Sequence, residues 1–77
     1  MSDWDLELDA RGLLCPLPVL KARKRLRDMA PGAVLRLVAT DPAAVVDVPH
    51  FCAESGHEFL GSAPMSDDAT AYLIRRN

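Results

Sequence analysis

The sequence predicts an α/β fold: a two-layer sandwich built in the order strand, helix, strand, helix, strand, strand, with both helices on one face of a single sheet. Three observations lead there. Trp4 to Asp9 alternates apolar and acidic residues with the period of a half-buried strand. Two segments opened by prolines carry apolar residues at helical spacing. From His57 onward, two short strand-like runs flank a stretch of turn formers.

In strand one, Trp4, Leu6 and Leu8 alternate with Asp5, Glu7 and Asp9. Ala10 to Leu14, containing Gly12, links it to Cys15-Pro16-Leu17-Pro18. Proline fits the first turn of a helix, where amide hydrogens lack intrahelical partners anyway. Val19, Ala22, Leu26, Met29 and Ala30 then recur at helical spacing and Pro31-Gly32 supplies a stop, so helix one is expected over Pro16 to Ala30. Ala33 to Ala39 is a β-branched and leucine-rich strand with Arg36 as its one charge, and Leu35 and Leu37 fall on the helix-covered face. Thr40-Asp41-Pro42 repeats the pattern of a helix start, with Asp41 as cap and Pro42 at the first helical position. Helix two has the apolar set Val45, Val48, Phe51 and Cys52 and stops at Gly56. Pro49 falls too deep for a first-turn proline, which predicts a kink or a broken turn. His57 to Gly61 and Ala69 to Arg76 complete the strands, joined by the turn-rich segment Ser62 to Asp68. Strands one and two should be parallel with a right-handed crossover. The uncovered sheet face should carry Asp5, Glu7 and Arg36.

A chain of 77 residues forms one domain, 1–77, because a single core rarely divides below about 100 residues. With 49% apolar and 26% charged residues, neither disorder nor a fibrous class fits. A net charge of −2 argues against a dedicated nucleic-acid binder. No apolar run approaches the roughly 18 residues of a membrane span, and the acidic segment Met1 to Asp9 lacks the basic start of a signal peptide. A cytoplasmic location is therefore expected. Two widely separated cysteines do not make a disulfide framework, so both are expected as reduced thiols.

Cys15 sits at the start of helix one, where the positive end of the helix dipole and unpaired amides stabilise a thiolate and lower its pKa. Pro16 and Pro18 fix φ and remove donors, leaving chiefly the Leu17 and Val19 amides free, one of them available to point at the sulfur. Arg11 and the basic residues of helix one add positive potential. The expected result is an exposed, rigid, activated thiol. The bland alternative is a small apolar residue beside a helix start.

No second cysteine lies two residues away, so a dithiol cycle lacks its resolving partner. No spacing rule places His50 or His57 as a base, and a lone activated thiol suits covalent carrying better than hydrolysis. Cys52, mid-helix beside Phe51, reads as inert packing, and the histidines as surface residues. His50, Cys52, His57 and Cys15 match none of the paired short ligand loops of zinc motifs, so neither a metal nor a cofactor is expected.

Helix one carries Lys21, Arg23, Lys24, Arg25 and Arg27 against Asp28, a local charge of +4. Such a face is either simply solvated or steers an acidic protein partner. No aromatic residue interleaves these basics, which disfavours direct nucleic-acid binding. Lys21, Arg23, Lys24 and Arg27 are the candidate docking residues.

The segment Leu8-Asp9-Ala10-Arg11-Gly12-Leu13-Leu14-Cys15-Pro16-Leu17-Pro18 resembles the Cys-Pro-x-Pro signature of the TusA family of small sulfur carriers, also known as SirA-like. Further matches are Ala39-Thr40-Asp41-Pro42, Asp47-Val48-Pro49 with Phe51-Cys52, Gly56-His57-Glu58 and Tyr72-Leu73-Ile74-Arg75-Arg76, so the resemblance covers essentially the whole chain. It implies a mixed four-stranded sheet ordered 1-2-4-3 with two helices on one face. It maps the persulfide-carrying cysteine onto Cys15 and the two signature prolines onto Pro16 and Pro18. It implies a cysteine desulfurase or similar donor and an acceptor protein in a sulfur relay, leading to 2-thiolation of the wobble uridine in tRNA. Such a protein would be a sulfurtransferase-type carrier rather than a stand-alone turnover enzyme, and because a carrier must offer Cys15 to two partners in turn, a monomer that docks transiently is expected. Other relatives serve sulfur oxidation, molybdenum cofactor supply or selenium metabolism. Bacterial tRNA-thiolation members often place glutamate between the prolines, where this chain has Leu17, and that bears on the pathway more than on the chemistry. The alternative from another class is an RNA- or protein-binding regulatory module that uses the basic helix, with Cys15 structural.

Overall fold

The computed structural model describes residues 3–77; Met1 and Ser2, the start of the acidic segment read against a signal peptide, lie outside the described residues. Six elements follow in the expected order: β1 (Leu6–Ala10), α1 (Leu17–Arg27), β2 (Val34–Ala39), α2 (Ala44–Ser55), β3 (Glu58–Pro64) and β4 (Thr70–Arg75). The sheet order is β1-β2-β4-β3, with β1 parallel to β2 and the other two pairings antiparallel.

Strand alternation sorts the residues onto the two faces of this sheet. Leu35, Leu37 and Ala39 of β2 stand beside Leu8 and Ala10 of β1 and Tyr72 and Ile74 of β4, all buried under the helices. Onto them α1 presents Ala22 and Leu26, and α2 presents Ala44, Val48, Phe51 and Cys52. One continuous cluster therefore joins both helices to one sheet face. The opposite face is not bare. Val38 packs there with Ala69, Ala71 and Met65. Glu7 and Arg36, in register across β1 and β2, pair at 2.9 Å. The Arg36 guanidinium lies 4.3 Å from the centroid of the Trp4 ring.

Several sequence boundaries move, each for a local reason. β1 starts at Leu6, because Trp4 precedes the strand and lies against Arg36. Pro16 caps α1 from outside with φ −99° and ψ 16°, and the helix closes at Asp28, short of Ala30. Asp41 caps a turn, not the helix itself: its carboxylate accepts the Ala43 amide at 3.1 Å, and α2 begins at Ala44. Val45 is consequently exposed, and Ala44 takes the buried place. α2 runs unbroken through Pro49. The carbonyl that Pro49 leaves without an i+4 donor belongs to exposed Val45, where water can satisfy it. β3 continues through Ser62 to Pro64, which read as turn, and a bulge shifts its register between Phe59 and Gly61. Gly61 has φ 138°, a conformation that favours glycine, and β3 is an edge strand, where a terminal proline is tolerated.

Candidate functional site

Because β1 and β2 are parallel neighbours, the chain leaves both at the same end of the sheet, and the starts of α1 and α2 come together there. The two loops are tied directly. The Gly12 amide donates to Thr40 Oγ1 at 2.9 Å. The Cys15 amide donates to Asp41 Oδ2, while Asp41 Oδ1 accepts the Ala43 amide. The backbone carrying the thiol is thus held to the entrance of α2.

The Cys15 side chain is exposed, and its Sγ donates a hydrogen bond to Asp47 Oδ2 at 2.7 Å. That partner reverses the expected electrostatics. The thiol pKa is raised above its ordinary value, first by the hydrogen bond to Asp47, then by partial desolvation and by the negative charges of Asp47 and Asp41. The expectation of a thiolate favoured by helix one is overturned, because the first turn of α2 places a carboxylate on the sulfur. Of the two amides expected as candidate donors to the sulfur, that of Leu17 donates to the Leu14 carbonyl at 2.8 Å.

Arg11 is engaged elsewhere: it pairs with Asp9 at 3.3 Å and with Asp67 at 3.1 Å, fastening the thiol loop to the β3–β4 turn. Pro16, whose bond to Cys15 is cis, is exposed, and Pro18 is buried in the first turn of α1. From Cys15 a groove of about 200 Å³ runs between the helices, walled by Pro16, Val19 and Arg23 on one side and Asp47, His50, Phe51, Glu54 and Ser55 on the other. The basic residues of α1 divide between two depressions. Arg23 faces this groove, whereas Lys21, Lys24 and Arg25 line a separate depression with Leu8 and Asp28; Arg27 is exposed.

Cys52 is 1% exposed, and burial pushes its thiol up to about 11, so it is chemically quiet at neutral pH. His50 is exposed and pairs with Glu54 at 3.0 Å. His57 is half-buried rather than a free surface residue: its Nδ1 accepts the Asn77 amide at 3.2 Å and its ring lies 5.7 Å from that of Phe51. Burial and the nearby Arg76 lower its pKa. Among the described residues, no group of three or more His, Cys, Asp or Glu is arranged to hold a metal ion, and no helix is long and apolar enough to cross a membrane.

Sequence reasoning missed Asp47, His50 and Glu54 as neighbours of the thiol. A signal was present. Parallel neighbouring strands put two helix starts at one end of the sheet, so an acidic residue in the first turn of the second helix falls close to a cysteine opening the first.

Fold and site together define a class: small α/β thiol proteins with a single accessible cysteine at the entrance to the first helix. Within it, the chain belongs to the TusA family, whose model, described as sulfurtransferase TusA, matches residues 6–76. The sulfur carrier protein TusA of Allochromatium vinosum is 50% identical over 62 residues, covering 80% of this chain and 82% of that protein. Its namesake from Pseudomonas entomophila is 46% identical over 69 residues, covering 90% and 82%. The crystal structure of a SirA-like protein from Desulfitobacterium hafniense superposes with a TM-score of 0.82 at 19% identity, covering 92% of this chain and 96% of that one; it shares the fold.

Proposed function

We propose that this protein is a sulfur carrier in which Cys15 receives the terminal sulfur of a donor persulfide and passes it to an acceptor thiol. The observation that carries this reading is the contrast between the two cysteines: Cys15 is exposed at a groove between the helices, and Cys52 is buried. The names of relatives at 50% and 46% identity support it. In the loading step the Cys15 sulfur, deprotonated, attacks the outer sulfur of the donor's Cys–S–SH. A new S–S bond forms to Cys15, the donor's S–S bond breaks, and the donor cysteine leaves as thiolate, with no net oxidation. Delivery is the same exchange with the acceptor thiol as nucleophile.

The fuller reading names a cysteine desulfurase as donor, a relay protein as acceptor, and tRNA wobble-uridine 2-thiolation as the end point, in the cytoplasm and as a monomer. Pro16 and Pro18 stiffen the thiol loop and Arg11 anchors it, while Arg23 and the neighbouring Lys21, Lys24 and Arg27 receive an acidic partner surface. Incubation with a cysteine desulfurase and cysteine, followed by mass spectrometry, should find one added sulfur on Cys15. An unmodified Cys15, or equal loading of C15S, would sink the proposal.

A further inference from the structure

We propose that Asp47 is a positioning residue that keeps the unloaded Cys15 thiol protonated, so that the free protein reacts slowly with small electrophiles although its thiol is exposed. The effect on sulfur loading rests on the carrier reading above; the effect on thiol reactivity stands without it.

The geometry comes first. The S–H points at a carboxylate oxygen 2.7 Å away, and a carboxylate can only accept, so this contact exists for the thiol and turns repulsive for the thiolate. Asp41 adds a second negative charge from the β2–α2 loop, through an oxygen already bonded to the Cys15 amide. The remaining charged or titratable groups of the groove are Arg23 on α1 and His50 and Glu54 on α2, and these last two pair with each other. Arg11, the basic residue nearest in sequence, is held by Asp9 and Asp67. The carboxylates of Asp47 and Asp41 therefore act on the sulfur without a compensating cation bonded to it. The thiolate, not the thiol, is the nucleophile in alkylation and in sulfur exchange, so holding the proton slows both.

The test is the pH profile of Cys15 alkylation by iodoacetamide in the intact protein. In D47N and D47A the profile should move toward acid, and the rate at pH 7 should rise by roughly threefold or more. Circular dichroism establishes that each variant is folded, and D47A decides the matter if D47N is not. A merely structural role for Asp47 would leave the midpoint of the profile where it is. An unmoved midpoint in a folded variant overturns the proposal. Loading from glutathione persulfide, a donor that needs no docking, separates the two readings: faster loading of the variants supports both, whereas a shifted alkylation profile without loading of any form removes the carrier reading and leaves the role of Asp47 standing.

Discussion

Asp41 bonds the backbone of Cys15 through one carboxylate oxygen and the backbone of Ala43 through the other, so a single side chain joins the thiol loop to the entrance of α2. Replacing it with alanine strands two amides that it now satisfies. D41A should lose about 1–2 kcal/mol of unfolding free energy in urea titrations, with faster hydrogen exchange at the Cys15 amide. Unchanged exchange there would mean that the Gly12–Thr40 bond and the Arg11–Asp67 pair hold the loop without Asp41.

Gly56 ends α2 with φ 81° and donates its amide to the Cys52 carbonyl at 2.9 Å. An alanine there must adopt a left-handed conformation, and its Cβ would come within 2.9 Å of Asn77 Nδ2, the movable tip of a side chain that also bonds the Ser55 carbonyl. G56A should therefore cost about 1–2 kcal/mol, chiefly through the backbone, and lower the thermal midpoint. If N77A relieves most of that loss, the side-chain clash rather than the backbone is the cause.

The same glycine shows what a sequence can carry. Gly56 as a stop, the prolines near two helix starts and the alternation of Leu6 and Leu8 are local signals, and the element order follows from them. The β3 bulge was not legible, because Phe59-Leu60-Gly61 fits an even alternation, and the slip appears only against β4. Cys15 could be singled out from its own neighbours along the chain. Its ionisation could not, because that depends on Asp47, which only the parallel pairing of β1 and β2 brings to the sulfur. The dipole of the first helix says nothing of the carboxylate that the second helix brings to the sulfur.

His57 supplies a pH dependence of known sign. Its folded-state pKa lies below the unfolded value of about 6.5, through burial and then through Arg76, so the unfolded chain binds its proton more readily. The stability it contributes is complete above about pH 6.5 and is lost as pH falls through the folded value. Protonation of the ring also removes the acceptor that Asn77 uses. Subtracting the unfolding free energy of H57Q from that of the parent protein should give a difference that is flat at higher pH and declines below about 6.5. A difference that grows on acidification would contradict this assignment.

The division of the basic residues of α1 sets the last prediction. Arg23 walls the groove that leads from Cys15, whereas Lys21 and Lys24 line a depression beside Leu8 and Asp28. A partner that brings its thiol to Cys15 has to approach that groove, so its acidic residues meet Arg23 before they meet the lysines. Attraction between exposed charges fades beyond a Debye length of about 8 Å at physiological ionic strength, which makes position count as much as total charge. R23A should slow sulfur loading from a protein donor by about threefold or more at low salt, with the gap narrowing as salt rises. The double variant K21A/K24A removes one more positive charge and should slow loading less. The Arg23 stem also packs at the groove wall, so circular dichroism and Cys15 alkylation should accompany the kinetics, and both should stay near parent values. Equal slowing by the two variants in proportion to charge removed would mean that the whole field of the helix steers association, and the groove would have no privileged part in docking.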